Sequence, residues 1–153
     1  MIIVSDTTPI ITLSKIERLD LLQKLFENII IPRAVYDELT LNVRFQEEAK
    51  VINDAEYIKV VEVEDSRAVK LLQRATGLDL GESEAIIYTD SYKDGLLLID
   101  ETKGRKVAKQ MGISIMGTVG ILMAAYDEKF ISSYKGLRGR KANSKAGASS
   151  LIW

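Results

Sequence analysis

The sequence predicts a three-layer α/β/α fold, in which a central and mostly parallel sheet of four to five strands lies between helices. Short apolar runs alternate with segments of helical periodicity over residues 1–126. The run at 96–99 (LLLI) is continuously aliphatic, as expected for a strand that is buried on both faces. Strands that alternate with helices form parallel sheets covered on both sides, so we expect a Rossmann-like architecture.

The elements follow in a regular order. Strands are predicted at residues 1–4, 28–31, 58–63, 96–99 and 113–116, and the third alternates apolar and polar residues only loosely. Helices are predicted over 7–26 (as two short helices), 33–40, 43–52, 66–74, 79–92, 103–111 and 118–126. Pro9 in a first turn, and Gly77 and Gly95 after last turns, mark helix boundaries.

The composition limits the chemistry. The chain has 153 residues, of which 46% are apolar and 28% charged, so it fits one globular domain. It contains no Cys and no His, which excludes disulfides, thiolate chemistry, histidine acid–base catalysis and the usual zinc sites. Catalysis would have to depend on carboxylates, Lys, Arg, Tyr, Ser or Thr.

The charge is unevenly distributed. Residues 1–128 contain 15 bases and 22 acids, whereas the remainder contains six bases and no acid. We therefore expect a domain over 1–130 and a flexible, basic, Gly/Ser/Lys-rich tail over 131–153. The longest apolar stretch has eleven residues, against the roughly 20 that span a bilayer, and the N-terminus lacks a basic n-region. These features predict a cytoplasmic protein.

Carboxylates stand at the predicted carboxyl edge of the sheet, where ligands bind in open α/β folds. Asp6 follows the first strand, and Asp100 and Glu101 follow the fourth. Each alone is explained equally well as a helix cap, but two acidic positions at one edge favour a site. Glu38 lies at the margin of an apolar helical stripe, although an exposed surface glutamate is the commoner case.

Glu84 is predicted to point inward. Leu80, Ile87 and Tyr88 lie at helical spacing around it, so a carboxylate enters an apolar row. A buried carboxylate needs a cation, a donor or a cleft. Glu82 lies half a turn away, where stabilisation by the helix dipole is a sufficient explanation.

An all-oxygen ligand set favours Mg²⁺ or Mn²⁺, which can activate water and stabilise an in-line displacement at phosphorus. A basic helix carries Lys103, Arg105, Lys106 and Lys109. A solvated face is the slightly favoured explanation for that helix, and the alternative is contact with a phosphate backbone.

Five segments resemble the motifs of PIN-domain proteins, in particular the compact VapC-like branch. They are VSDTTPII, IIIPRAVYDEL, LGESEAIIYT, LLLIDETKGRKVA and MGTVGILM, and the resemblance covers residues 1–126. It identifies Asp6, with Thr7 beside it, as the first acidic position and Glu38 as the second. Glu84 fits the third, where many relatives have Asp and where Glu82 is a near neighbour. The fourth is Asp100 or Glu101.

The resemblance implies a Mg²⁺/Mn²⁺-dependent endoribonuclease that cleaves RNA by metal-activated water, and usually the toxin of a type II toxin–antitoxin pair. It also implies a homodimer and a small antitoxin that enters the acidic groove. The expected roles are catalysis and metal binding by Asp6, Glu38, Glu84 and Asp100, with Glu82 and Glu101 in reserve; orientation of water or phosphate by Thr7 and Thr118; and RNA binding by Lys103, Arg105 and Lys106.

Other functions remain open at this point. They are an RNA-processing nuclease outside toxin–antitoxin biology, a non-catalytic PIN-like binding module, and a response-regulator-like phosphoacceptor. The last needs a Lys at a later strand end, and no apolar strand ends in Lys. An antitoxin would neutralise the pocket with Arg or Lys, and we expect its apolar flank to lie on an exposed patch of Ile16, Leu19 and Leu22.

Overall fold

A computed structural model describes residues 1–132 of the chain. The elements alternate in the predicted order. The strands are β1 (Ile3–Ser5), β2 (Ile29–Pro32), β3 (Ile58–Val61), β4 (Leu96–Leu98) and β5 (Ser114–Met116). The helices are α1 (Thr7–Lys15), α2 (Asp20–Phe26), α3 (Arg33–Leu41), α4 (Gln46–Asp54), α5 (Ser66–Thr76), α6 (Leu80–Asp90), α7 (Thr102–Gln110) and α8 (Thr118–Asp127). A 3-10 turn over Val43–Phe45 precedes α4.

The five strands form one sheet in the order β3-β2-β1-β4-β5, and every pairing is parallel. The chain builds outward from β1 through β2 to β3, and then crosses to the other side of β1 to form β4. The gap between the carboxyl ends of β1 and β4 is therefore the topological switch point, where a ligand crevice is expected. The register Ser5↔Leu98 brings the residues after these strands side by side.

Alternation along the strands separates two apolar cores. Ile3 and Leu98 join the core formed with α1 to α4 and α8, whereas Val4 and Leu97 join the core formed with α6 and α7. Leu72 of α5 packs against the second core. Because neighbouring strand residues face opposite sides, each central strand contributes to both layers. The predicted three-layer α/β/α architecture is confirmed.

The prediction of an exposed apolar docking patch is wrong. Ile16, Leu19 and Leu22 are 8%, 4% and 0% exposed, because the end of α1 and the start of α2 fold onto α8 and the sheet. Ile131 is also buried in this core, so the packed body reaches past residue 130. The prediction for the tail otherwise falls on residues 133–153, outside the described part of the chain. No helix within residues 1–132 is long and apolar enough to cross a membrane.

Candidate active site

Asp6 lies at the switch point, immediately after β1. Its backbone N–H donates a hydrogen bond to the carbonyl of Leu98 at 2.9 Å, so the chain is held between β1 and β4 where its side chain projects. Asp6 is 5% exposed and occupies the N-cap position of α1, yet its carboxylate makes no capping hydrogen bond. The alternative that Asp6 serves as the cap of α1 is therefore not what this structure shows.

Glu82 reaches the same group of acids from the first turn of α6. Its backbone N–H donates to Asp79 Oδ1 at 2.8 Å, and its own Oε1 accepts from the backbone N–H of Asp79 at 3.2 Å. This is a capping box, in which two helix-end donors are satisfied reciprocally. The second oxygen, Oε2, is buried and has no hydrogen-bond partner among the described residues.

A glycine of α7 makes room for that free oxygen. A Cβ built on Gly104 would lie 3.1 Å from Glu82 Oε2 and 2.7 Å from Ile99 Cδ1. Any larger residue would close the space beside the carboxylate or displace the strand end. The crevice wall therefore depends on the close approach of α7 to β4.

Glu38 comes from α3 and is exposed. Its Oε1 lies 3.5 Å from the position of a Cβ on Gly81, so it faces the start of α6. The Thr7 hydroxyl lies beside this carboxylate and opposes the rise in its pKa. That hydroxyl is buried and makes no hydrogen bond within residues 1–132.

The electrostatics show that these carboxylates share one environment. Burial raises the pKa of Asp6 to about 7, and the backbone N–H of Thr7 opposes the rise. The negative charges of Glu82, Asp79 and Glu38 also contribute to this rise. Like charges held close together favour the protonated form of a carboxyl group, so Asp6 gains or loses its proton near neutral pH.

The pKa values of Glu82 and Glu38 are also raised. Burial raises the pKa of Glu82 to about 6, with further repulsion from Asp79 and Glu101, while the backbone N–H of Asp79 opposes it. Burial, and then the charge of Asp79, raise the pKa of Glu38. Glu101 is therefore close enough to act on the group, although its side chain is exposed.

No ion pair among the described residues reaches this group. The ion pairs found there join Met1 to Asp94, Asp20 to Arg18 and Lys24, and Arg33 to Glu62. None involves an acid of the crevice. Nor do any three acidic side chains within residues 1–132 converge closely enough to hold an ion between them as they stand.

Glu84 lies elsewhere. Its Oε1 accepts a hydrogen bond from the backbone N–H of Ala34 at 3.0 Å, at the start of α3. The predicted inward row of α6 is wrong, because Leu80 is 47% exposed and the buried side of the helix carries Glu82, Ala85 and Ile86. The signal for Glu82 is present in the sequence: DLGE at 79–82 is a capping-box pattern that fixes the phase of the helix.

Both carboxylate oxygens of Asp100 accept hydrogen bonds from the beginning of α8. Its Oδ1 accepts from the backbone N–H of Thr118 at 2.7 Å, and its Oδ2 accepts from the Thr118 hydroxyl at 2.5 Å. Asp100 therefore anchors α8 to the end of β4, and the hydroxyl expected to orient water or phosphate is directed to Asp100 instead.

The basic helix α7 divides into different environments. Arg105 is half-buried and its Nη1 donates to the carbonyl of Ile99 at 2.9 Å, which holds the side chain against the end of β4. Lys103 is exposed, and its Nζ lies 2.9 Å from the position of a Cβ on Gly77, over the loop that leads to α6. Lys106 is also exposed.

Fold and site together define a doubly wound α/β protein with an acidic crevice at its topological switch point. A family model described as DUF3368, a PIN domain, matches residues 2–138, and the chain belongs to the PIN-domain family. Comparison with curated proteins gives no match. PIN domains are generally nucleases, and thus hydrolases, that typically use divalent metal ions.

The residues present fit such an ion in their chemistry. Carboxylate and hydroxyl oxygens are the ligands that Mg²⁺ and Mn²⁺ prefer. The buried and unpartnered Oε2 of Glu82 is an acceptor in need of a positive partner, and Asp6 is a second buried acid beside it. A bound cation would offset the free-energy cost of burying these two carboxylates.

Proposed function

We propose that the protein is a Mg²⁺- or Mn²⁺-dependent endoribonuclease and the toxin of a toxin–antitoxin pair. The observation that carries the proposal is that Asp6 and Oε2 of Glu82 are both buried at the switch point, and that no ion pair among the described residues reaches either of them. A fold does not retain such costly groups for stability. They support a site for an ion.

The ligand set that these contacts support is Asp6, Glu38 and Glu82, with Asp100 or Glu101 as the fourth acid. Glu82 replaces Glu84, whose carboxylate is used at the start of α3. Asp100 remains a candidate while it holds Thr118, because each carboxylate oxygen has a second lone pair. Glu101 is the alternative, since its charge acts on Glu82.

The bound ion would supply an activated water and neutralise charge that develops on the phosphate. The chain itself supplies alignment. Asp6 is fixed by the strand end, and the buried hydroxyl of Thr7 is available to accept or donate a hydrogen bond beside it. Lys103, at the rim of the crevice, is placed to hold a flanking phosphate of the RNA, with Lys106 further along the exposed face of α7.

The toxin assignment rests on the resemblance to the VapC-like branch and on the charge of the crevice. Acids that form no ion pair within residues 1–132 suit an inhibitor that offers an arginine, whose guanidinium binds carboxylates bidentately. We therefore propose a small antitoxin with an Arg/Lys segment as the partner, and a homodimer as the active assembly. An RNA-processing nuclease would use the same site without that partner.

The enzymatic proposal is tested by cleavage of single-stranded RNA with Mg²⁺, with Mn²⁺ and with EDTA. We expect metal-dependent cleavage that falls at least about 100-fold in Asp6→Asn and Glu82→Gln, since each variant removes a ligand. Glu64→Gln is the matched control, because Glu64 is exposed and remote from these contacts. A wild-type protein that is folded but inert with both ions would contradict the proposal and favour a binding module.

The toxin assignment has its own test. Expression of the protein alone should arrest growth, co-expression of the neighbouring small gene should restore it, and the two products should co-purify. Asp6→Asn should be harmless but should still bind the partner. An active nuclease that causes no arrest and captures no neighbour would assign it to RNA processing instead.

A further inference from the structure

The capping box at the start of α6 joins a structural residue to a proposed ligand. Asp79 accepts from the backbone N–H of Glu82 and donates its own backbone N–H to Glu82 Oε1. We infer that Asp79 is a positioning residue, which aims the free oxygen of Glu82 into the crevice. The inference rests on the proposed function, and it assigns Asp79 no contact with substrate or metal.

The geometry explains why Glu82 needs such a holder. A glutamate has three side-chain torsions, and fixing them costs conformational entropy. Here one oxygen is tied to the backbone at residue 79, so the direction of the second is determined before any ligand arrives. Preorganisation of this kind strengthens binding without adding a contact to the ligand.

The comparison with α5 shows that a cap alone does not require this arrangement. Asp65 caps α5 through a single bond, in which Oδ1 accepts from the backbone N–H of Ala68 at 3.1 Å. No carboxylate returns to Asp65, because the third position of that helix is an alanine. Asp65 therefore provides a matched cap without a proposed ligand attached to it.

The negative charge of Asp79 repels the neighbouring carboxylates, and this repulsion allows a positioning role to be distinguished from a charge effect. Its charge raises the pKa of Asp6, Glu38 and Glu82, so an uncharged cap would cause less repulsion. Asp79→Asn keeps an oxygen that can accept from Glu82 and removes the charge. Asp79→Ala removes both, and comparison of the two variants therefore distinguishes positioning from charge.

The first test uses NMR and needs neither metal nor RNA. The amide hydrogen of residue 79 should exchange slowly with solvent, because Glu82 Oε1 accepts it in a hydrogen bond. The protection should persist in Asp79→Asn and be largely lost in Asp79→Ala. Unchanged protection in Asp79→Ala would overturn the inference whether or not the protein proves to be a nuclease.

The second test measures Mn²⁺ affinity by calorimetry and RNA cleavage in the full chain. Asp79→Ala should weaken both by about 10-fold, as expected for a residue that orients a ligand, and Asp79→Asn should restore most of the loss. Asp65→Ala should lower the melting temperature similarly but leave both measurements unchanged. An equal loss in Asp79→Asn, or in Asp65→Ala, would overturn the positioning role.

The two tests distinguish failure of the proposed function from failure of the positioning role of Asp79. A wild-type protein that neither binds Mn²⁺ nor cleaves RNA, but protects the amide of residue 79 and loses that protection in Asp79→Ala, would refute the proposed function and leave the orientation of Glu82 established. A metal-dependent nuclease in which Asp79→Ala behaves like Asp65→Ala would refute only the role of Asp79.

Discussion

The carboxylate of Glu84 on α6 accepts a hydrogen bond from the backbone N–H of Ala34 on α3. The residue before α3 is Pro32, which offers no side-chain cap, so a neighbouring helix satisfies the free donor instead. Glu38 lies one turn beyond Ala34 on the same face of α3. The contact therefore fixes the helix that presents Glu38, although Glu84 itself is not directed into the crevice.

Glu82 and Glu84 should consequently respond differently to substitution. Glu84→Ala removes a hydrogen bond and should lower the free energy of unfolding by about 1 kcal/mol, as the loss of a helix cap does. It should retain most RNA cleavage, whereas Glu82→Gln should lose it and unfold no more easily without metal. Chemical denaturation and an RNA assay on the same samples check this, and the opposite pattern would restore Glu84 as the site residue.

Asp6→Asn should abolish cleavage and stabilise the metal-free protein at pH 8. At that pH the buried Asp6 is ionised against its neighbours, and asparagine removes this cost. The pKa shift from 3.8 to about 7 corresponds to roughly 4 kcal/mol. Thermal melting in EDTA is the measurement. Marked unfolding of Asp6→Asn would mean that Asp6 has a structural role.

The stability of the metal-free protein should depend on pH in a defined direction. The pKa of Asp6 is higher in the folded protein than in the unfolded chain, so its contribution is full below about pH 4 and is lost as pH rises through about 7. The difference in melting temperature between wild type and Asp6→Asn should therefore widen from pH 5 to pH 8. Saturating Mg²⁺ should reverse the trend, because the ion binds the ionised form.

Gly104→Ala should narrow the crevice. The new methyl group would press on Ile99 and on the free oxygen of Glu82, and overpacking of this kind costs about 1–3 kcal/mol. Adding Ile99→Val removes the atom that clashes with the strand end, so the double variant should regain stability. It should still bind Mn²⁺ more weakly than wild type, and wild-type affinity there would show that the space beside Glu82 is not used.

Lys103→Gln should raise the KM for RNA with little change in kcat, because we propose that the lysine contacts a flanking phosphate rather than the reacting one. The dependence of binding on salt should also become less steep, as expected when one phosphate contact is lost. Lys109→Gln is the matched control on the same exposed helix. Equal effects of both substitutions would indicate a diffuse basic surface instead of a defined contact.

The fold could be predicted because its signals are local. Aliphatic runs, helix caps and glycine stops each occupy a few neighbouring residues, and Gly77, for example, ends α5 with φ +76°. Their alternation alone implies a parallel sheet and brings Asp6 and Asp100 to one edge.

The details of the site depended on contacts between distant residues. The phase of α6 decided between Glu82 and Glu84, and the bond of Glu84 to Ala34 spans 50 positions. Likewise, Asp100 meets Thr118 across 18 positions, and no periodicity in either segment predicts that pair. Binary patterning predicts which face is buried, but it does not predict which buried acid finds a donor on another element.

The uncompensated acids of the crevice also have a consequence for the lifetime of the protein in a cell. A chain that gains folding free energy when it binds a cation is opened less often when divalent ions are plentiful. Proteases degrade opened molecules, so cellular magnesium would set how long each copy persists as well as whether it acts. Limited proteolysis at graded Mg²⁺ concentrations would then report on turnover, and Asp6→Asn would resist digestion at every concentration alike.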